Sequence, residues 1–127
     1  MENIKVLLVD DEAELVDTLA ERLIMRDIQA DWATGAEEAL YKADRNPYDI
    51  AVLDVKMPGI SGITLKKLME QKHPGMKFIF MTGHGSEADF KAGTMEAGSE
   101  YYLVKPVNIE DLIIKMKEVI SEARGTK

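Results

Sequence analysis

The sequence predicts an α/β fold in which helices cover both faces of a parallel β-sheet. Short apolar runs rich in β-branched and aromatic residues alternate along the chain with stretches that have helical spacing. Strict alternation of strand and helix requires right-handed crossover connections, and these connections produce a parallel sheet. Several of the runs end in a polar residue. Because the carboxyl ends of parallel strands share one edge, these polar residues are expected to meet there.

Five segments of the chain are predicted to be strands. One of them, residues 29–33, alternates polar and apolar residues and is expected at an edge of the sheet. The others are continuous apolar runs, which is the pattern of strands buried on both faces. In chain order these runs are residues 4–9, 50–53, 78–81 and 101–104.

The intervening stretches are predicted to be helices because their apolar residues recur every three or four positions. In the first helix the apolar residues are Leu15, Val16, Leu19 and Leu23, and in the last they are Ile109, Leu112, Ile113, Met116, Val119 and Ile120. Residues with capping side chains mark the predicted helix starts, and glycine or proline marks the ends. The predicted caps are Thr34 with Glu37, Ser86 with Asp89, and Asn108; the predicted ends are Pro74-Gly75 and Gly98.

Length and composition limit the classes of protein that remain. A chain of 127 residues with 46% hydrophobic composition fits one domain over residues 1–127, with a core at about 4–120 and a polar tail at 121–127. The absence of cysteine excludes disulfides and thiolate chemistry, and a net charge of −7 argues against direct nucleic-acid binding by this domain. No stretch approaches the roughly 20 apolar residues of a membrane span, so a cytoplasmic, membrane-free domain is expected.

The polar strand ends together propose a metal site. Asp10 and Asp11 follow the first strand, and Asp54 follows a central one. Two carboxylates about 4 Å apart repel by roughly 4 kcal/mol at an effective dielectric of 20, so a compensating cation is expected. Hard divalent cations such as Mg²⁺ prefer clusters of carboxylate oxygens.

The same strand ends also suit phosphoryl transfer. A carboxylate can act as a nucleophile towards phosphorus and form an aspartyl phosphate. Asp54 is the candidate nucleophile because it is a lone carboxylate followed by a loop. Thr82 and Lys105 would add a hydroxyl and an ammonium group, and phosphoryl transfer depends mainly on positioning and on neutralising charge.

The motifs at these strand ends resemble those of receiver domains of two-component response regulators, of the chemotaxis-regulator type. The resemblance covers residues 4–120 and rests on the order of the motifs and their strand context. It implies a flavodoxin-like (βα)5 fold with strand order 2-1-3-4-5, and a signalling domain whose only chemistry is its own phosphorylation and dephosphorylation. The matching segments are Val9-Asp10-Asp11, Leu53 to Gly62, Met81-Thr82-Gly83 and Tyr102 to Pro106.

The resemblance also implies a role for each site residue. Asp54 matches the phosphoacceptor that takes a phosphoryl group from a sensor histidine kinase. Asp11 matches the direct ligand of Mg²⁺, for which Mn²⁺ can substitute. Asp10 acts through water, and Asp54 and the backbone carbonyl of Lys56 supply further oxygens. Lys105, followed by a cis peptide bond to Pro106, matches the lysine that pairs with the phosphoryl group.

A conformational switch is implied as well. Thr82 resembles the hydroxyl residue that closes over the phosphoryl group, and Tyr102 the aromatic residue that moves inward with it. The helix predicted over residues 86–97, the fifth strand and the last helix would then form the surface that controls an output partner or a fused output domain. Lys56 and His84 match variable positions that border the path of attacking water.

Other interpretations of the same residues remain open at this stage. Asp11 alone could simply cap the first helix. Residues 83–88 match a G-x-G-x-x-A dinucleotide motif, but the motif follows the wrong strand. An aspartate-nucleophile phosphatase would need a second aspartate two positions after the nucleophile, and Asp10 and Asp54 both lack one. A degenerate receiver that acts as a phosphorylation-independent binding module keeps the fold without the chemistry.

Overall fold

The computed structural model describes residues 3–83 and 101–123. The strands are β1 (Lys5–Val9), β2 (Gln29–Ala33), β3 (Ile50–Asp54), β4 (Lys77–Thr82) and β5 (Tyr102–Val104). The described helices are α1 (Ala13–Ile24), α2 (Ala36–Arg45), α3 (Gly62–Lys72) and a C-terminal helix (Ile109–Ala123). All strand pairs are parallel, and the five-stranded sheet has the order β2-β1-β3-β4-β5, as predicted.

Two apolar layers, one on each face of the sheet, form the core. Successive residues of a strand point to opposite faces, so Leu8 packs with α1 and the C-terminal helix, whereas Leu7 packs with α2 and α3. Strands β1, β3 and β4 are almost entirely buried, which confirms the prediction made from their continuous apolar runs.

Strand β5 differs from the prediction. Its apolar sequence indicated burial on both faces, but Tyr102 is 44% exposed and Val104 is 46% exposed. The reason is its position, because β5 pairs with β4 alone and lies at an edge of the sheet. An apolar run cannot by itself distinguish a central strand from an edge strand.

The helix starts confirm one predicted cap and correct another. The side chain of Asn108 accepts hydrogen bonds from the backbone N–H groups of Glu110 and Asp111, at 2.8 and 3.2 Å, as predicted. The predicted pairing of Thr34 with Glu37 is wrong, because Glu38 Oε1 accepts from the Thr34 backbone at 2.9 Å. The helix begins after Gly35, one residue later than assumed, and this moves the reachable glutamate by one position.

The remaining boundary predictions have different outcomes. Helix α3 ends at Lys72, just before Pro74-Gly75, as expected. The predicted cap Ser86 with Asp89, the end at Gly98 and the helix over residues 86–97 lie outside the described residues. Within the described ranges, no helix is long and apolar enough to cross a lipid bilayer.

Candidate functional site

The strand ends place the candidate residues along one edge of the sheet. Asp10 directly follows β1, and Asp54 is the last residue of β3. Asp54 is opposite Met81 in the register of β3 and β4, so Thr82 lies one residue further along. Lys105 follows β5, and its backbone N–H donates to the Thr82 carbonyl at 2.7 Å. The parallel topology therefore brings these side chains together despite their separation in sequence.

Three carboxylates converge at this edge. One oxygen from each of Asp10, Asp11 and Asp54 lies within 4.8 Å of the others. Asp10 is fully buried and Asp54 is 4% exposed, whereas Asp11 is exposed to solvent. Asp10 is held in place because its Oδ1 accepts a hydrogen bond of 2.9 Å from the Glu12 backbone. The cluster thus combines two buried acids with one at the solvent boundary.

Lys105 supplies positive charge to this cluster. Its Nζ lies 2.6 Å from Asp10 Oδ2 and 3.5 Å from Asp54 Oδ2, and its side chain is mostly buried. The bond from Lys105 to Pro106 is cis, as the resemblance implied. The one ammonium group offsets only part of the negative charge of the three carboxylates.

Burial and repulsion change the protonation of the two buried acids. Desolvation, followed by the charge of Asp10, raises the pKa of Asp54 to about 6, and Lys105 only partly opposes these effects. Desolvation also raises the pKa of Asp10, against the hydrogen bond and charge of Lys105. For Lys105 itself, burial lowers the pKa, but the neighbouring carboxylates outweigh burial and raise it. The lysine therefore stays charged while the acids resist full ionisation.

The candidate switch residues occupy different environments. The Thr82 side chain is fully buried, and its Oγ1 has no hydrogen-bond partner in the described part of the chain. Tyr102 lies on the edge strand β5 and is exposed, whereas its apolar run predicted a buried strand. Lys56 is exposed beside the acidic cluster, and its backbone donates a hydrogen bond to the Asp54 carboxylate. His84 lies outside the described residues.

Asp11 does not cap the first helix. The residue before α1 is Glu12, and α1 has no capping hydrogen bond from a side chain. This finding removes the alternative in which Asp11 served only to begin a helix. The carboxylate of Asp11 instead faces the other two acids of the cluster.

Sequence reasoning missed the part that Glu12 plays in the site. Its Oε1 lies 3.3 Å from Lys105 Nζ, so a third carboxylate contacts this ammonium group. A glutamate directly after an acidic pair, with a lysine expected at the same edge, was the available signal. The signal is weak because an exposed glutamate at the start of a helix also interacts favourably with the helix dipole.

Gly62 has a more specific function than permitting a turn. A Cβ built on Gly62 would clash with the Asp54 carbonyl oxygen, and it would lie 2.9 Å from the Asp54 carbonyl carbon. The Gly62 N–H donates to the Val55 carbonyl at 2.9 Å. The absence of a side chain therefore lets α3 begin against the backbone of the central acid. Gly59, in contrast, has a φ of +88°, a left-handed backbone conformation that glycine adopts without strain, and it serves the turn.

The donor set fits a hard divalent cation. All three side chains of the cluster offer carboxylate oxygens, which suit Mg²⁺, Ca²⁺ and Mn²⁺ better than softer metals. Burial, and after it the charge of Asp10, raises the pKa of Asp54, and a bound cation would favour the ionised carboxylates against both effects. The edge of the sheet therefore forms an acidic pocket that could bind a metal.

A five-stranded parallel α/β domain with this acidic pocket and a buried lysine beside it defines the class of protein. Residues 6–117 match the family model of the response regulator receiver domain. The chain belongs to this family, and it is a receiver domain of two-component signalling systems rather than a typical enzyme.

Curated relatives and solved structures agree with this family. The chain is 32% identical over 121 residues to the two-component response regulator PhoP of Pseudomonas aeruginosa, covering 95% of this chain and 53% of that protein. It is 37% identical over 123 residues to the transcriptional regulatory protein CpxR of Escherichia coli, covering 97% of this chain and 52% of that protein. The chain thus spans about half the length of these curated relatives.

A CheY-like response regulator receiver domain protein from Methanospirillum hungatei superposes with a TM-score of 0.87 at 30% identity, covering 99% of this chain and 100% of that one. The receiver domain of the Francisella response regulator 1452 superposes with a TM-score of 0.79 at 30% sequence identity, covering 98% of this chain and 100% of that one.

The relatives also bear on the expected absence of nucleic-acid binding. Several of them are named as transcriptional regulatory proteins. The relatives therefore do not support the expectation that nucleic-acid binding is absent. The net charge of −7 applies to this sequence of 127 residues alone.

Proposed function

We propose that Asp54 accepts a phosphoryl group from a sensor histidine kinase in a Mg²⁺-dependent reaction, and that phosphorylation switches a surface that controls an output partner or a fused output domain. The observation that carries the proposal is the convergence of the three carboxylates with Lys105 at the carboxyl edge of the sheet. The receiver unit is proposed to cover residues 4–120, which the family match over residues 6–117 supports.

Asp54 is suited to be the nucleophile. With a pKa of about 6, about nine in ten of its side chains are ionised at pH 7. Its burial limits the water available to solvate the carboxylate, while its oxygens remain at the end of a strand that leads into a loop. The two neighbouring aspartates lie on another strand end and are better placed to hold a metal.

The proposed reaction exchanges one bond to phosphorus for another. A carboxylate oxygen of Asp54 forms the new P–O bond while the P–N bond of a phosphohistidine breaks, and the released imidazole nitrogen takes a proton from solvent. Lys105 Nζ, already 3.5 Å from Asp54 Oδ2, would pair with the transferred oxygens. In the later hydrolysis step, water attacks the phosphorus of the aspartyl phosphate, the P–O bond to Asp54 breaks, and inorganic phosphate leaves, which restores the free carboxylate.

The metal would be held by the acidic cluster. Asp11 and Asp54 are proposed as carboxylate ligands, Lys56 as a backbone carbonyl ligand, and Asp10 as a contact through water, with Mn²⁺ able to substitute for Mg²⁺. When bound, the ion neutralises charge on the phosphoryl oxygens and relieves repulsion among the carboxylates.

The switch would depend on Thr82 and Tyr102. A buried hydroxyl with no partner among the described residues is poised to donate to a newly arrived phosphoryl oxygen. Movement of Thr82 would open space into which the exposed Tyr102 ring can turn, and this would change the surface around β5 and the C-terminal helix. The helix proposed over residues 86–97 would complete that surface, and α1 beside the acidic pair would face the kinase.

The test is the intact mass of the protein after incubation with acetyl phosphate, with and without Mg²⁺. We expect one added phosphoryl group that requires both Mg²⁺ and Asp54, so Asp54→Ala should show none. Asp17→Ala, which removes an exposed acid from α1, is the matched control and should be phosphorylated normally. A folded parent protein that binds Mg²⁺ yet gains no mass would contradict the proposal and favour a phosphorylation-independent binding module.

A further inference from the structure

The ammonium group of Lys105 is shared by three carboxylates. Its Nζ lies 2.6 Å from Asp10, 3.3 Å from Glu12 and 3.5 Å from Asp54. A lysine ammonium has three N–H donors and no acceptor, so these three acids together can occupy its donors. A phosphoryl group that pairs with Lys105 must therefore displace one of them.

Glu12 is the partner most easily displaced. Its side chain is 66% exposed, compared with 0% for Asp10 and 6% for Asp54. Water can replace the lysine as a partner of an exposed carboxylate, whereas a buried carboxylate that loses its cation pays a desolvation penalty. The metal-binding cluster also does not include Glu12, so its displacement leaves that cluster intact.

We infer that Glu12 is a positioning residue that competes with the bound phosphoryl group for Lys105. This inference rests on the proposed function. In the unphosphorylated protein, Glu12 holds the ammonium beside the acidic cluster at the solvent boundary. When the phosphoryl group is bound, one of its oxygens takes the place of Glu12 on Lys105. Glu12 thereby favours the unphosphorylated state.

The backbone of Glu12 stays in place throughout this exchange. Its carbonyl accepts from the N–H groups of Leu15 and Val16, at 3.1 and 3.3 Å, and so begins α1. Its own N–H donates to Asp10 Oδ1 at 2.9 Å. Only the side chain has to move, and side-chain variants at this position should keep the fold and the position of Asp10.

The expected effect is modest because the displaced pair is exposed. Exposed ion pairs are worth about 0.2–1 kcal/mol, which corresponds to an affinity change of about 1.4- to 5-fold. Removal of the Glu12 carboxylate should therefore raise the affinity of the Mg²⁺-bound protein for a phosphoryl mimic by about 1.4- to 5-fold. The effect should shrink at high salt, since salt screens exposed charges.

The experiment measures beryllofluoride affinity by calorimetry in the presence of saturating Mg²⁺. Glu12→Gln removes the charge, and Glu12→Asp keeps it but shortens the side chain, so that it no longer reaches Lys105. Glu14→Gln is the matched control, because it makes the same change in net charge as Glu12→Gln. Glu14 is also an exposed glutamate, in the first turn of α1. A further pair compares Glu12→Gln with the parent residue in a Lys105→Met background.

The inference requires that Glu12→Gln and Glu12→Asp both bind the mimic more tightly than Glu14→Gln, and that the gain vanish without Lys105. Equal affinities for Glu12→Gln and Glu14→Gln would overturn it, because only net charge would then matter. Parent-like affinity for Glu12→Asp would also overturn it. A parent protein that binds no beryllofluoride would instead remove the proposed function, and the inference with it.

Discussion

At the scale of single residues, the buried Asp54 carboxylate lowers the free energy of unfolding of the metal-free protein, and the size of this cost depends on pH. Its pKa is raised to about 6 by burial and by Asp10, so the folded protein holds a proton that the unfolded chain has already released at about pH 4–6. Stability from this group is therefore present at low pH and is lost as the pH rises towards 6.

Asp54→Asn should remove that cost. Without metal at about pH 7.5, we expect the variant to be more stable than the parent by about 1–3 kcal/mol. Each unit by which the pKa of Asp54 is raised costs about 1.4 kcal/mol at this pH, and the substitution also removes the repulsion between Asp54 and Asp10. At about pH 4 the difference should disappear, because the Asp54 carboxyl of the parent is then protonated. Urea unfolding in the presence of a chelator at both pH values measures the effect.

Asp17→Asn serves as the control for this prediction, because it changes an exposed acid on α1. Its stability should follow that of the parent at both pH values. An Asp54→Asn variant that is less stable than the parent at about pH 7.5 would show that repulsion at the site is already compensated within the fold.

The residue types at the site could be predicted from the sequence, but their contacts could not. Strand ends identified Asp10, Asp54, Thr82 and Lys105, because topology alone brings them to one edge. The contact of Glu12 with Lys105 depends on a side-chain rotamer, which no spacing rule encodes. The exposure of Tyr102 likewise depends on the packing around an edge strand.

At the scale of secondary-structure elements, the start of α3 is coupled to the strand that carries Asp54. The helix begins at Gly62 because only glycine lets its backbone approach the Asp54 carbonyl so closely. Ser61 completes this start by accepting a hydrogen bond of 3.1 Å from the Thr64 backbone. The position of the nucleophile therefore depends on how α3 packs against β3.

Gly62→Ala should strain this contact. The added methyl group meets backbone atoms of Asp54 and Val55, which cannot rotate away as a flexible side chain would. We expect a loss of about 1–3 kcal/mol in the free energy of unfolding, the usual cost of overpacking, together with slower phosphorylation of the displaced Asp54. Urea unfolding and intact-mass time courses measure the two effects.

Gly75→Ala is the matched control, because a Cβ there meets nothing within 4 Å. It should leave the free energy of unfolding within about 0.5 kcal/mol of the parent value or raise it slightly. If the two variants were equally stable, the close approach of Gly62 to Asp54 would not constrain the fold.

Element boundaries show where local sequence signals succeed and fail. The Asn108 cap was predictable because one side chain and two nearby N–H groups suffice to define it. The Thr34 pairing failed by one position, because the helix starts after Gly35 and the reachable carboxylate belongs to Glu38. Capping motifs predict that a helix starts nearby more reliably than they predict the residue at which it starts.

At the scale of the whole molecule, the strand order explains how a site and a distant surface can communicate. Strand β4 carries Thr82 at the edge of the site and pairs with β5, which carries Tyr102. Phe80 is opposite Tyr102 in this register and Thr82 is opposite Val104, so Tyr102 lies two positions before the level of Thr82. The sheet thus offers a short route from the acidic pocket to the exposed face of β5.

Thr82→Ala should break this route while leaving the acceptor in place. The variant keeps Asp54, Lys105 and the acidic cluster, so it should still gain a phosphoryl group, although more slowly without the hydroxyl. The ring of Tyr102 should no longer change environment on phosphorylation. Fluorine NMR of protein labelled with 3-fluorotyrosine follows the ring, with Tyr102→Phe used to assign its signal.

Two internal controls make the outcome decisive. Thr82→Ser keeps the hydroxyl and should preserve the shift of the Tyr102 signal. Tyr48 is buried and donates a hydrogen bond of 2.6 Å to Asp31, so its signal should stay fixed in every variant. Identical movement of the Tyr102 signal in phosphorylated Thr82→Ala and parent proteins would show that the surface responds to the phosphoryl group by a route that does not use this hydroxyl.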